Sequence, residues 1–403
     1  MASRLVQHRK TRVRGLVLPA LSNTKQFDGL PVEKVSGDIT SIEDMRRATH
    51  GCDIVIHCAI GKPNVTVNGT RNVTKAATEN GIKRFVHMSS TAVYGYYPSA
   101  NEAKDGRLQN TLSRSNYYNE YCHSKIASES IAFSYHDAQN LPLVVLRPSN
   151  IYGPNSTWWT IMPIDMLREG CCVLVNGGLS PSNTVYVDDV VDAIELAVKE
   201  DNAVGHAFTI SSNQNTSWRD FFSSYAKMFA RTPALLDMTL EEIGIEKDRR
   251  RVDLMKRTFS SPKNTLSLFP QLAVQTPLLR SFLSLTARLQ IARKLRTVMP
   301  KAAKIQASSP PEETTHSIPT WRKIPDLWLE KCFTIPFSFP INGAADVLGF
   351  KPHVSLDEGM GKTQDWLIAC RDKTFTPILE TFVLPELTMP KAEKRLQTYV
   401  AAL

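Results

Sequence analysis

The sequence has no C-x-x-C pair, no long apolar run and no apolar stretch behind its basic N-terminus. Each absence excludes something. The seven cysteines (Cys52, Cys58, Cys122, Cys171, Cys172, Cys332, Cys370) are scattered and odd in number, which argues against zinc and thioredoxin-like chemistry. They read as reduced core thiols of a cytoplasmic protein. A membrane-spanning helix needs about 18 or more apolar residues in a row, and none is expected here. A signal peptide needs an apolar core after its charged start, so secretion is not expected either. The N-x-[ST] triplets at Asn64, Asn68, Asn72, Asn155 and Asn215 are then chance matches.

Acidic residues are nearly missing from one segment. Between Lys247 and Lys304 only Asp248 and Asp253 are acidic, although the whole chain carries a net charge of +9. The basic surplus therefore belongs to that segment, and the remainder is slightly acidic.

What is present is a chain of 403 residues, long enough for two or three domains. A hydrophobic share of 42% and a charged share of 22% suit a globular protein. From Val13 onward strand and helix patterns alternate. "RVRGLVL", "VEKVSGDI", "CDIVIHCA", "KRFVHMSS" and "LPLVVLRP" read as strands. "SIEDMRRAT", "VNGTRNVTKAATENG" and "YYNEYCHSKIASESIAFSYHDAQ" read as helices, with Ser41 as an N-cap and Gly81 as a stop. Continuous apolar strands between helices predict an α/β fold with a doubly wound parallel sheet. Ligands of such sheets bind beyond the carboxyl ends of the strands. Past Tyr152 the character changes to a smaller domain. "STWWTIMPIDMLREG" and "TVYVDDVVDAIELAVKE" read as helices, "HAFTISS" as a strand and "SWRDFFSSYAKMFA" as a helix. The expected division is 1–150 as a dinucleotide-binding domain, 151–235 with 336–370 as a substrate domain, 236–335 as a basic insertion with linker, and 371–403 as a tail.

Tyr121 and Lys125 stand four residues apart on a predicted helix, so their side chains share a face. An ammonium near a phenol lowers the tyrosine pKa from about 10 toward neutrality. Such a tyrosine can move a proton to or from a substrate hydroxyl. Ser90, at the end of the preceding strand, can polarise the developing carbonyl or alkoxide. Alone, the pair reads first as an exposed helix face. Its setting between "MSSTAVYG" and "LRPSNIYGP" turns the reading toward chemistry.

With "GDI", "HCA", "NGTRNV", "SSTAVYG", Tyr121 with Lys125, "LRPSNIYGP", "VYVDDVVDAI" and "LGFKPHVSLDEG", the chain resembles the extended short-chain dehydrogenase/reductases, the NAD-dependent epimerase/dehydratase family. The resemblance covers about residues 2–230 and 341–368. It implies a Rossmann-like fold, NAD or NADP as cofactor, and Ser90, Tyr121 and Lys125 as catalytic residues. Asp38 and Ile39 would contact adenine, Ala59 the ribose and phosphate, and Lys125 with Tyr121 the nicotinamide ribose. Pro148 would lie beside the nicotinamide, and Asn150 would face substrate. Trp158, with Trp159, could line an apolar pocket or equally pack in the core.

The chain also departs from the family. Members begin with a strand, a G-x-x-G-x-x-G loop that cradles the pyrophosphate, and a helix. Here Met1 falls inside that helix, and about 20 residues of the unit are not in the sequence. Either the sequence starts late, which the intact downstream motifs favour, or this is a shortened relative with altered cofactor binding. Leu18 stands where an acidic residue selects NAD or a basic one NADP, so the cofactor stays open. Thr91 and Ala92 replace the acidic pair of the sugar dehydratases, so dehydration is not expected. Ser182 replaces an arginine that clamps a nucleotide diphosphate.

The resulting expectation is an NAD(P)-dependent oxidoreductase or epimerase acting on a hydroxyl or keto group of a sugar nucleotide or sterol-like substrate. The alternative is a non-catalytic truncated relative serving as a binding or scaffold protein. A small-molecule substrate and a homodimer are the expected partners, with no nucleic acid and no metal. In 278–299, Leu278, Phe282, Leu285, Leu289, Ala292 and Met299 form an apolar stripe flanked by Arg280, Arg288, Arg293, Lys294 and Arg296. That helix pattern suits peripheral contact with an anionic membrane, or docking on the body of the protein.

Overall fold

The computed structural model describes residues 1–7, 11–18, 27, 29–95, 120–168, 170–260, 325 and 327–369. The stretch 278–299, most of the expected insertion and the tail after 370 lie outside the described residues.

The elements in chain order are α1 (Ala2–Leu5), β1 (Val13–Val17), β2 (Val32–Ser36), α2 (Ile42–Thr49), β3 (Ile54–His57), α3 (Pro63–Glu79), β4 (Arg84–Met88), α4 (Glu120–Gln139) and β5 (Leu143–Pro148). There follow β6 (Asn150–Tyr152), α5 (Met162–Leu167), β7 (Cys171–Val175), β8 (Thr184–Tyr186), α6 (Val187–Lys199) and β9 (Ala207–Ile210). The remainder is α7 (Trp218–Ala226), β10 (Ala234–Met238), α8 (Leu240–Phe259), α9 (Leu327–Phe333), α10 (Asn342–Leu348) and α11 (Leu356–Ala369).

The main sheet runs β3-β4-β5-β9, all parallel. Period-2 alternation sends neighbouring residues to opposite faces, and both faces are dry. Val55, Phe85, Val145 and Ala207 pack with Val73, Ala76 and Ala77 of α3 and Ala132 and Phe133 of α4. Ile56, Val86, Val144 and Phe208 pack on the other side with Val190, Ala193, Ile194 and Ala197 of α6 and with Ala344 and Leu348 of α10. This is the doubly wound arrangement the apolar runs imply. Strands β1 and β2 form a separate parallel pair, yet Leu16 of β1 joins the same core as Val55 and Phe85.

Two expected elements differ. "TVYVDDVVDAIELAVKE" is not helical throughout: Thr184–Tyr186 pairs in parallel with Asn150–Tyr152 before the helix begins at Val187. "STWWTIMPIDMLREG" opens as a π-helical turn, Thr157–Ile161, and becomes α-helical at Met162. Chain on both sides of residue 150 builds the main sheet, because β9 extends β5 and α6 covers its face. A second core holds Trp218, Phe221, Phe222 and Tyr225 of α7 against β7, α5, Phe333 and Met360. The parallel pair β7–β10 belongs to it. No helix among the described residues is long and apolar enough to cross a membrane.

The late segment is tied down by α6. The buried Asp189 carboxylate accepts the backbone N–H groups of His353, at 3.0 Å, and Val354, at 3.4 Å. This delivers Gly359 of α11 against Tyr152 and Tyr186, where an added Cβ would collide with the Tyr152 hydroxyl and stand 2.9 Å from the Tyr186 ring. Gly361, two residues on, faces open space. The two glycines therefore answer alanine with opposite signs. Gly361→Ala gains helix propensity of up to about 1 kcal/mol. Gly359→Ala gains the same propensity but overpacks two buried rings, at a cost of about 1–3 kcal/mol. Chemical denaturation is expected to show Gly361→Ala raising the midpoint and Gly359→Ala lowering it.

Candidate active site

The site forms where β4 ends. Ser90 leaves the strand in extended conformation, and its hydroxyl accepts the Ala92 N–H at 3.1 Å, opening the tight helical turn Thr91–Tyr94. Helix α4 then packs against this turn and brings the Tyr121 side chain close to Ser90. Tyr121 keeps 38% of its surface exposed. One turn further, Lys125 is 5% exposed, and its ammonium donates to the Met88 carbonyl at 2.8 Å. The i, i+4 spacing thus places both side chains at the end of one strand.

The electrostatics differ from the expectation. Burial raises the Tyr121 pKa above its ordinary value, and the neighbouring Ser90 hydroxyl only partly opposes this. The fall toward neutrality expected from Lys125 is not seen, because the ammonium is turned to the Met88 carbonyl. Lys125 itself is pulled down to about 8 by burial, against the opposing influence of Cys58 and Glu129.

The other sequence candidates stand at neighbouring strand ends. Asp38 and Ile39 follow β2. The Asp38 carboxylate accepts the Thr40 N–H and hydroxyl, both at 2.8 Å, which closes a local turn. Ile39 lies against α3: its carbonyl accepts the Asn72 side chain at 3.2 Å, and a Cβ on Gly69 would come within 2.8 Å of it. Ala59 is buried just past β3, followed by Ile60, which is 44% exposed. Pro148 is the buried last residue of β5. Asn150 is committed elsewhere, donating its amide to the Ser182 carbonyl at 2.8 Å. Ser182 is fully buried and bonds Thr184 and Thr216 at 3.0–3.2 Å. Trp158 is 58% exposed on the π-helical turn, whereas Trp159 enters the core 5.1 Å from Trp218. The structure brings Ser90, Tyr121 and Lys125 together and gives Asn150 a structural bond.

Several residues around the site are given no role in the sequence reading. Ser89 and Glu129 hydrogen-bond, and Glu129 pairs with Arg147 of β5. The available signals were Glu129 four residues beyond Lys125 and a single cation inside an apolar strand. His57 and His87 are paired in register across β3 and β4, their rings 5.3 Å apart. Thr70 gives its hydroxyl proton to the Thr66 carbonyl, so it accepts from His57 Nε2 at 3.0 Å. Both nitrogens of His87 are buried without a hydrogen-bond partner among the described residues.

Burial, with Lys125 adding repulsion, pushes His57 down to about 3. His87 is lowered by burial, then by His57 and Lys125. Both rings are therefore neutral in the folded chain. The unfolded chain takes up their protons below about pH 6.5. Stability is unaffected by this pair above that pH and falls as pH drops below it, by up to about 2.7 kcal/mol per pH unit for the two together. His87→Leu is expected to halve that slope between pH 6.5 and 4.5 in urea denaturation. An unchanged slope would contradict the assignment.

Residues 2–211 match the model of the "NAD dependent epimerase/dehydratase family". The chain is 29% identical over 210 residues to 2-alkyl-3-oxoalkanoate reductase of Shewanella oneidensis, covering 47% of this chain and 53% of that protein. It is 32% identical over 153 residues to dTDP-D-glucose 4,6-dehydratase of Mus musculus, covering 37% of this chain and 41% of that one. The chain thus spans about half the length, or less, of these curated relatives. Among solved structures, dTDP-glucose 4,6-dehydratase from Bacillus anthracis in complex with NAD matches with a TM-score of 0.57 at 15% identity, covering 93% of this chain and 94% of that one. UDP-glucuronic acid 4-epimerase from Bacillus cereus matches with a TM-score of 0.56 at 15% identity, covering 91% and 94%. At that identity the structural likeness speaks for the Rossmann-type fold alone. With the family model spanning more than half of its residues, the chain belongs to the NAD-dependent epimerase/dehydratase family, the extended short-chain dehydrogenase/reductases.

Proposed function

We propose that the chain is an NAD(P)-dependent oxidoreductase or epimerase acting on a hydroxyl or keto group. The observation that carries this reading is the placement of Tyr121 close to Ser90 at the end of β4, with the buried Lys125 ammonium one helical turn along α4. The donor set fits the nicotinamide end of the cofactor: a partly exposed phenol, a serine hydroxyl and a buried ammonium on adjoining backbone. The cofactor, when bound, supplies or accepts the hydride. Lys125 and Tyr121 would hold its nicotinamide ribose, Pro148 its ring, Ala59 the neighbouring ribose and phosphate, and Asp38 with Ile39 the adenine.

Tyr121 acts as the proton donor or acceptor at the substrate oxygen, and Ser90 polarises that oxygen. A phenol held above its usual pKa keeps its proton at neutral pH. That state suits donation to an alkoxide, hence reduction of a ketone. Thr91 and Ala92 bring no acid for dehydration. A sugar nucleotide is the first substrate class to test, given the relatives named dTDP-D-glucose 4,6-dehydratase. An apolar keto compound is the second, given the relative named 2-alkyl-3-oxoalkanoate reductase. In the same proposal, the chain before residue 150 holds the cofactor together with β9, α6 and α10, which build on the main sheet, and the chain packed around α7 faces the substrate.

The engagement of Lys125 with the Met88 carbonyl favours one other reading, a relative that keeps the fold and acts as a binding or scaffold protein. Fluorescence titration with NADH and NADPH separates the two. Saturable binding of either is expected. With dTDP-glucose, UDP-glucose and a 2-alkyl-3-oxoacid as trial substrates, Tyr121→Phe is expected to retain cofactor binding and lose turnover by about 10²–10⁴-fold. Failure to bind either cofactor would leave the scaffold reading. Full turnover in Tyr121→Phe would move the acid/base elsewhere.

A further inference from the structure

We propose that Glu129 and Arg147 are positioning residues for the proton-transfer site, a buried ion pair that locks α4, the Ser89–Tyr94 stretch and the end of β5 into one arrangement. The proposal rests on the reading that Tyr121 and Lys125 are the reactive pair.

The geometry is a three-way clamp. The two side chains are 1% and 0% exposed. Arg147 Nε donates to Glu129 Oε2 at 3.1 Å, and its Nη2 donates to Oε1, so the guanidinium meets the carboxylate with two parallel bonds. The same Oε2 accepts the Ser89 hydroxyl at 2.8 Å. The remaining arm of Arg147 donates from Nη1 to the Tyr94 hydroxyl at 3.1 Å, and the Tyr94 ring lies 5.3 Å from the guanidinium carbon. Tyr94 is held in turn by Thr209 of β9 at 2.8 Å.

Each bond fixes a neighbour of a reactive group. Ser89 and Tyr94 bracket Ser90, so the turn carrying the polarising hydroxyl is gripped at both ends. Glu129 lies one turn beyond Lys125 and two beyond Tyr121 on α4, so gripping it sets the rotation and height of that helix. Arg147 immediately precedes Pro148. The pair thus joins the three elements that carry Tyr121 with Lys125, Ser90 and Pro148. Two buried charges are a costly way to pack two elements, since apolar side chains of equal volume often do so as well. Their placement beside Ser90, Lys125 and Pro148 gives them a use that packing does not. The carboxylate is also one of two groups that favour the charged form of Lys125.

The test reads Lys125 directly and needs no cofactor. Lysine ¹⁵Nζ NMR of the full chain follows the titration of Lys125, its signal assigned by loss in Lys125→Met. The wild-type midpoint is expected at about 8. Glu129→Gln keeps the shape of the side chain and removes its charge. It is expected to lower the midpoint by about one pH unit, a tenfold loss of proton affinity, and to weaken NADH binding more at pH 8 than at pH 6.5. The double variant Glu129→Leu/Arg147→Met, which leaves neither charge unpaired, is expected to shift the midpoint the same way. An unmoved midpoint in either folded variant overturns the proposal, as does failure of both variants to fold, which would assign the pair to folding alone. If NADH never binds but the midpoint still moves, the clamp stands and the dehydrogenase reading falls.

Discussion

A lysine ammonium sits almost without water at the end of β4, and the chemistry of the site depends on how that charge is balanced. Lys125 has the Met88 carbonyl as its hydrogen-bond acceptor and feels Glu129 and Cys58 as stabilising neighbours. Burying an unpaired ammonium costs several kcal/mol. The consequences spread outward. The lysine loses proton affinity. His57 and His87, beneath it on β3 and β4, are held neutral partly by its charge. Tyr121, one turn away, answers to burial and Ser90 instead.

The fold provides the setting for that burial. Parallel strands end together, so the residues just past β3, β4 and β5 converge on one rim, while α3, α4, α6 and α10 keep both sheet faces dry. Helix α4 supplies the reactive face, and its further end is anchored by a charge pair into the neighbouring strand. Thr209 of β9 holds Tyr94, and residues of the segment 341–350 pack under the main sheet, so late parts of the chain support an early site.

Much of this was legible in the sequence. The apolar runs at Ile54–His57, Arg84–Met88 and Leu143–Pro148 admit little but buried parallel strands, and their order implies the crossovers. Tyr121, Lys125 and Ser90 were legible because a helix repeat and a strand end are local properties. Where the Lys125 ammonium points is not local. It depends on the Met88 carbonyl across the α4–β4 packing, and so the sign of the Tyr121 shift was read the wrong way round. The Glu129–Arg147 pair joins residues 18 apart, and neither looks buried until the strand and helix meet. The three-residue strand Thr184–Tyr186 escaped notice because it is shorter than any reliable alternation and runs straight into a helix.

The account stands most directly on the ionisation of Tyr121 in the unliganded chain. Tyrosine ¹³Cζ NMR of the full-length protein, in wild type and in Lys125→Met, reads it residue by residue. A Tyr121 midpoint raised above the ordinary tyrosine value in wild type, hardly moved by removing the ammonium, is the predicted result. A wild-type midpoint near neutrality that climbs in Lys125→Met would contradict it.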